Sequence, residues 1–213
     1  MEIDGFLTTD LIKASLIMNS KQIRIPSEDE CYEIITEMGM LDHIIAHSRQ
    51  VRKVSLFLVD HLISENLNRE LVEAAALLHD ITKTRSLQTK EDHAKTREIL
   101  LTAKGYPEVG RIIGQHVFIY ECFPDGEITE AEVVNYADKR VLHDGVASLD
   151  ERMIYILERY GKTPERRQLL KLLSERSKRL ENKIFKKLSF KPDELPFLLG
   201  SGGLYNRRKS GDP

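Results

Sequence analysis

The stretch Ala74-Ala-Ala-Leu-Leu-His-Asp-Ile-Thr-Lys83 decides the fold of this chain. Its first five residues are apolar on every side of a helix, which is typical of a helix in the middle of a core. The ionisable pair His79-Asp80 follows directly. Burying a carboxylate there is costly unless a positive charge neutralises it, and a divalent cation would do so. The stretch therefore predicts a buried helix that ends at a metal site.

Two other ionisable residues are predicted to face the core. His47 precedes Val51 at helical spacing, so its imidazole is expected to point inward and to need a hydrogen bond or a metal as a partner. Asp138 follows Val134 at i+4 and precedes Val141 at i+3, so it too faces inward. Buried imidazoles and buried carboxylates in separate helices need a common explanation. A metal site with mixed nitrogen and oxygen ligands is the economical one.

Helical spacing and helix caps continue along almost the whole chain. Ser27 with Glu30 and Thr129 with Glu132 form capping boxes, and Pro164 occupies a favoured first position of a helix. No stretch of any length alternates apolar and polar residues as a half-buried strand would. The fold class predicted is therefore all-α. The expected helices span about 41–63, 69–80, 91–104, 107–116, 129–141, 148–161 and 164–188.

Charge divides the chain into parts. We expect an N-terminal extension, 1–26, a helical bundle, 27–161, a basic helical extension, 162–199, and a disordered tail, 200–213. Residues 1–161 carry a net charge of −10, and residues 162–213 carry +8. The bundle is thus a poor nucleic-acid clamp, whereas the basic extension could attract polyanions. The preferred interpretation of that extension is a solvated helix that packs by its leucine face, with a second subunit as one candidate surface.

Composition excludes several classes of protein. The 213 residues are 41% hydrophobic and 31% charged, an ordinary globular profile. No apolar run approaches the roughly 18 residues that a membrane span needs, so no membrane partner is expected. The acidic start, Met1-Glu-Ile-Asp-Gly5, lacks the pattern of a signal peptide. These features predict a cytoplasmic protein.

The residues His47, His79-Asp80 and Asp138, in this order, resemble the HD superfamily of metal-dependent phosphohydrolases. The segment Leu77-Leu-His-Asp-Ile-Thr-Lys83 is similar to the superfamily's HDIG signature, with Thr82 where glycine is common. The segment Asn135-Tyr-Ala-Asp138 is similar to its closing aspartate segment. The resemblance covers roughly residues 30–160 and implies a bundle of helices with the metal held between them.

The resemblance also implies roles for individual residues. Two-metal subfamilies, such as symmetrical dinucleoside tetraphosphatases and HD-GYP proteins, place further histidines between the HD pair and the last aspartate, where His93 and His116 stand. The GYP motif itself is absent. The implied catalytic residues are Asp80 and Lys83, and the implied substrate-binding residues are Lys83 and Arg140. The candidate metal ligands are His47, His79, Asp80, His93, His116 and Asp138.

The expected activity is hydrolysis of a phosphate ester or anhydride, in a nucleotide or a similar small molecule, by metal-activated water. The ligand set suits Mn, Fe, Ni or Co better than Mg, and either one ion or two. Two alternatives stay open at this point: a di-iron oxygenase with the HD fold, and a non-catalytic regulatory or binding module. Nucleic-acid binding by the basic helix and a homodimer are further, less favoured, expectations for partners.

Overall fold

The structure, a computed structural model, describes residues 23–89, 93–117, 119, 123 and 125–200, excluding the side chains of 87–89 and 93–95. All of the predicted tail except Gly200, and most of the predicted N-terminal extension, lie outside these residues. The helices are α1 (Glu28–Glu37), α2 (Asp42–His61), α3 (Arg69–Leu78), α4 (Lys83–Thr89), α5 (His93–Ala103), α6 (Pro107–Gly114), α7 (Glu130–Lys139), α8 (Leu149–Tyr160), α9 (Pro164–Phe185) and α10 (Leu195–Leu198). A 3-10 turn, Pro192–Glu194, precedes α10, and strands β1 (Val141–Leu142) and β2 (Gly145–Val146) form a hairpin.

Capping boxes start three of the helices, as their sequences predict. The side chains of Ser27, Thr129 and Ser148 each accept a hydrogen bond from a backbone N–H three residues later, and a glutamate at that position accepts one in return. These reciprocal bonds satisfy N–H groups that a helix start leaves without partners. The predicted all-α fold is confirmed.

The structure differs from the sequence prediction at three places. Helix α3 ends at Leu78, because Ile81 and Lys83 donate to carbonyls three residues earlier and so replace the α-helix by a tight turn. His79 and Asp80 lie in that turn. The short helix α4 after it was not predicted. Helix α6 ends at Gly114, so the predicted position of His116 late in a helix is wrong.

Helix α3 lies in the middle of the core, as its apolar composition predicts. Its residues from Ala74 to Leu78 are buried, and it contacts α1, α2, α6 and α7. The core extends into the C-terminal helix α9, whose Leu180 and Ile184 pack in the same cluster as α3. A smaller apolar cluster, formed mainly by α8, is separate from it. The second half of α9 is therefore continuous with the bundle.

Helix α9, with 22 residues, is the longest helix in the described part of the chain, and it is strongly charged. A buried ion pair fastens it to α7: Lys183 donates to both carboxylate oxygens of Glu132, at 2.7 and 2.8 Å. Within the part of the chain that the structure describes, no helix is long and apolar enough to cross a membrane.

Helices α5 and α6 approach each other closely at Gly110. A Cβ atom there would lie 2.9 Å from the backbone carbonyl oxygen of Glu98. Overpacking of this kind costs about 1–3 kcal/mol, against about 1 kcal/mol gained in helix propensity. We therefore expect Gly110→Ala to lower the free energy of unfolding by up to about 2 kcal/mol, measured by urea denaturation. Gly145→Ala is the control, because a Cβ there meets its nearest atom at 3.8 Å. Equal stability of the two variants would contradict this close contact.

Candidate metal centre

Four ionisable side chains meet in the core: His47 from α2, His79 and Asp80 from the turn after α3, and Asp138 from the last turn of α7. Nε2 of His47 lies 3.1 Å from Oδ1 of Asp138. Nε2 of His79 lies 3.6 Å from Oδ2 of Asp80 and 3.8 Å from Oδ1 of Asp138. The donor atoms of His47, His79 and Asp80 all lie within 4.8 Å of one another. The fold therefore brings these four predicted ligands to one place.

The imidazole of His79 is oriented by the backbone and leaves one nitrogen without a partner. Its Nδ1–H donates to the carbonyl oxygen of Ala76 at 2.8 Å. Its Nε2 is buried, and none of the described residues forms a hydrogen bond with it. Burial lowers the pKa of His79, which favours the neutral ring. A buried lone pair with no donor is costly unless a ligand such as a metal ion occupies it.

His47 is oriented in the same way by a residue that sequence reasoning did not assign to the site. Its Nδ1–H donates to the carbonyl oxygen of His143 at 2.9 Å, and this directs Nε2 toward Asp138. His143 itself is exposed, and its backbone has a positive φ of 58° in the hairpin between β1 and β2. No sequence signal identifies a backbone carbonyl that orients a ligand, because any residue could supply it.

The separations of the donor atoms fit a metal ion. Ligands about 2.0–2.2 Å from one ion lie roughly 2.8–3.6 Å apart at octahedral or tetrahedral angles. The measured separations of 3.1, 3.6 and 3.8 Å are close to this range. Two imidazoles and two carboxylates are a mixed set that suits a transition metal better than Mg²⁺. These four residues, with the unpartnered Nε2 of His79 among them, therefore fit the transition-metal ion that the sequence implied.

Lysines stand beside both carboxylates. Nζ of Lys83 lies 2.6 Å from Oδ2 of Asp80, and Nζ of Lys139 lies 2.8 Å from Oδ2 of Asp138. Burial alone would raise the pKa of Asp80, but His79 and Lys83 outweigh it and hold that pKa below its usual range. Burial also opposes ionisation of Asp138, whose pKa is nevertheless held well below its usual range, chiefly by Lys139. Both carboxylates are therefore in the ionised form that binds a cation.

His116 is buried next to the cluster, as predicted, but it already has a cationic partner. Its Nδ1–H donates to the carbonyl oxygen of Ile113, which leaves Nε2 as an acceptor. Nη1 of Arg97 donates to this Nε2 at 3.2 Å, and Oδ1 of Asp80 is 3.7 Å away. Burial and the charge of Arg97 lower the pKa of His116. The side chain of His93, the other predicted second-metal ligand, lies outside the described residues.

The guanidinium of Arg140 does not reach the cluster. It donates to the hydroxyl of Tyr136, to Glu181 and to the carbonyl oxygens of Ala147 and Pro192. Arg140 is buried beside α9, whereas a substrate-binding role would need donors directed at the metal centre. The predicted role of Arg140 therefore gains no support from this arrangement.

The comparison with known families agrees with this site. Residues 44–141 match the family model of the HD domain, a range that contains the four clustered residues. The chain therefore carries an HD domain over residues 44–141, as the HDIG-like segment predicts.

Comparison with individual proteins gives one relative and no structure. A tRNA (cytidine(56)-2'-O)-methyltransferase of Picrophilus torridus is 30% identical over 144 residues, which cover 61% of this chain and 40% of that protein. This chain thus spans less than half the length of that relative. No solved structure matches the chain.

Proposed function

We propose that the chain is a metal-dependent phosphohydrolase that binds one divalent transition-metal ion through His47, His79, Asp80 and Asp138. The observation that carries this proposal is Nε2 of His79, which is buried without a hydrogen-bond partner and faces two ionised carboxylates. HD domains are characteristic of metal-dependent hydrolases, and this chain has one. Mn, Fe, Ni and Co are the metals that this ligand set favours.

The residues around the site have distinct tasks in this proposal. A bound ion of this kind makes hydroxide available near neutral pH by lowering the pKa of a water molecule. The carbonyl oxygens of Ala76 and His143 fix the tautomers of His79 and His47, so that each ring directs Nε2 to the same point. Lys139 fixes the carboxylate of Asp138 by a hydrogen bond. Asp80 both binds the ion and orients the nucleophile.

Lys83 is the proposed contact for a phosphoryl oxygen. Its ammonium group pairs with Asp80 at one end of the cluster, and 37% of its side chain is exposed, so a substrate can reach it from solvent. Phosphoryl transfer depends mainly on positioning and on electrostatic stabilisation of the transferred group. Asp80 raises the pKa of Lys83 against the effect of burial, which keeps the amine charged at neutral pH.

One ion is proposed rather than two because of Arg97. Its guanidinium donates to the nitrogen of His116 that a second ion would need. A guanidinium stays charged at any ordinary pH, so it does not release that lone pair by deprotonation. His116 is therefore assigned to a hydrogen bond with Arg97, and a content of one metal ion per chain is expected.

A nucleotide or a similar small phosphate is the proposed substrate, in a cytoplasmic protein. The relative from Picrophilus torridus is named for action on tRNA, which is consistent with a substrate of nucleotide chemistry. Methyl transfer is not proposed for this chain, because the matched region covers only 40% of the methyltransferase. The basic charge of residues 162–213 makes an RNA with a terminal phosphate a reasonable member of a substrate panel.

The test begins with elemental analysis of protein purified without chelator, followed by a panel of substrates. Nucleoside monophosphates, dinucleoside polyphosphates, cyclic dinucleotides and an RNA with a terminal phosphate are incubated with the metal-reconstituted protein, and released phosphate or nucleoside is measured. We expect about one ion per chain, a lower melting temperature after chelation, and hydrolysis that chelation abolishes. Protein that binds neither Mn²⁺ nor Fe²⁺ in titration would contradict the proposal. An air-sensitive iron centre without phosphatase activity would favour the oxygenase instead.

A further inference from the structure

Arg152 is a third cation at the metal centre, and its guanidinium forms no hydrogen bond with another described residue. Nη2 lies 3.6 Å from Oδ1 of Asp138, which is an ion pair but longer than a hydrogen bond. Nε of Arg152 is buried with no hydrogen-bond partner among the described residues. The side chain is 13% exposed, so it is largely removed from solvent.

Two other buried cations nearby, Lys139 and Arg140, are different. Lys139 donates to Asp138 and to the carbonyl oxygen of His116, at 2.8 and 2.7 Å. Arg140 donates to four groups of the fold. These side chains have structural partners, whereas the donors of Arg152 have none at hydrogen-bond distance in the described part of the chain. Because buried polar groups are almost always paired, the unused donors of Arg152 point to a ligand.

Arg152 and Lys83 each contact one of the two carboxylates of the metal centre. Arg152 contacts Asp138, which lies 3.8 Å from Nε2 of His79, and Lys83 contacts Asp80, which lies 3.6 Å from the same nitrogen. We therefore expect both a guanidinium and an ammonium group within reach of an anion at the metal. The planar fork of arginine matches two oxygens of a phosphate, and lysine adds a point charge.

Helix α8 holds Arg152 in place. Ser148 starts the helix with a capping box, and Met153 and Ile156 pack in the small apolar cluster on its inner side. The guanidinium also lies 5.7 Å from the ring centre of Tyr155. This cation–π contact stabilises the positive charge. A donor on a rigid helix is positioned before the substrate arrives, which reduces the entropy lost on binding.

Charge indicates which phosphates such a site would prefer. Within ion-pair distance of the two carboxylates, the described side chains include three cations, Lys83, Lys139 and Arg152, before any metal adds its charge. A phosphate monoester carries nearly two negative charges at neutral pH, and a diester carries one. Coulomb attraction to a net positive site is proportionately larger for the monoester.

We infer that Arg152 is a substrate-binding residue that holds the transferred phosphoryl group together with Lys83, and that the substrates are phosphate monoesters rather than diesters. This inference rests on the proposed phosphohydrolase function and adds a residue and a substrate class to it. Arg152 was not identified from the sequence, because it lies 14 positions after Asp138 in a helix whose pattern predicts only an apolar inner face.

The first experiment uses inorganic phosphate as the probe and isothermal titration calorimetry as the readout. The metal-loaded full chain is compared with Arg152→Gln, Arg152→Lys and the control Arg176→Gln, which removes the same charge from an exposed position on α9. Losing hydrogen bonds to a charged group weakens binding by about 10- to 100-fold, and this is the loss expected for Arg152→Gln. Arg152→Lys should lose less, and Arg176→Gln should bind as the unaltered chain does.

The second experiment measures the substrate class with p-nitrophenyl phosphate and bis(p-nitrophenyl) phosphate. Arg152→Gln should lower kcat/KM for the monoester by about 10- to 100-fold and for the diester by less than about threefold. Metal content is measured on every variant by elemental analysis. If Arg152 only stabilised the fold, its replacement would lower kcat/KM for both substrates and the metal content together.

The outcomes separate the inference from the proposed function. If the metal-loaded chain binds phosphate and Arg152→Gln binds it equally well, Arg152 is not a substrate-binding residue, and the phosphohydrolase proposal stands. Preference of the unaltered chain for the diester overturns the monoester class. If the unaltered chain binds neither metal nor phosphate, both proposals fall. Should Arg152→Gln be unfolded, Arg152→Lys decides: unchanged phosphate affinity and an unchanged ratio of the two substrates contradict the inference.

Discussion

An Asp80→Asn variant is expected to lose its metal ion and to fall in kcat/KM by about a thousandfold or more, because the ion supplies several kcal/mol of the catalysis. Asparagine keeps the shape of the side chain but removes the charge that balances a cation. Asp80 lies 3.6 Å from Nε2 of His79 and 2.6 Å from Nζ of Lys83, so it connects the ion to the proposed phosphate contact.

The measurements are metal content, melting temperature with and without chelator, and kcat/KM on the best substrate of the panel. Chelation should lower the melting temperature of the unaltered chain and leave that of Asp80→Asn unchanged, since only a ligand that binds the folded state stabilises it. Asp125→Asn is the matched control, because this aspartate is almost fully exposed, 95% by side chain. An Asp80→Asn protein that binds metal as tightly as the unaltered chain would remove Asp80 from the ligand set.

In a Lys183→Met variant, the free energy of unfolding is expected to be about 3–5 kcal/mol lower, because the buried carboxylate of Glu132 loses its charged partner. Lys183 is 4% exposed and Glu132 is 1% exposed, and the lysine donates to both carboxylate oxygens and to the carbonyl of Glu127. The pair joins the C-terminal helix α9 to α7, the helix that carries Asp138.

Two further variants test this explanation by urea denaturation. Lys178→Met lies on the same helix in an exposed ion pair with Asp150 and should cost less than about 1 kcal/mol. In the double variant Lys183→Met/Glu132→Gln, no charge is left unpaired, and glutamine still completes the capping box with Thr129. The double variant should therefore recover most of the lost stability. If Lys183→Met lowers the free energy of unfolding no more than Lys178→Met does, the buried pair does not stabilise the packing of α9 against α7.

Much of the fold follows from local features of the sequence. The capping boxes at Ser27 and Thr129 and the proline at position 164 start helices where the structure has them, since these signals act over three or four residues. Helical periodicity also predicted that the side chains of His47 and Asp138 face the core, where the structure has them. Helix α4 was missed because its residues, Lys83–Thr89, carry no apolar stripe that would distinguish it from a loop.

The sequence by itself determined the HD domain, the all-α fold and four residues that the core brings together, because helical spacing and a short motif decide which side chains face inward. Only the tertiary structure decided what the long cationic side chains do. Arg140 turned away from the cluster to Glu181, Arg97 contacts His116, and Arg152 reaches Asp138 from another helix. Arginine side chains are long and flexible, so their direction depends on which acceptors the packed helices place within reach. That information exists only once the helices have packed.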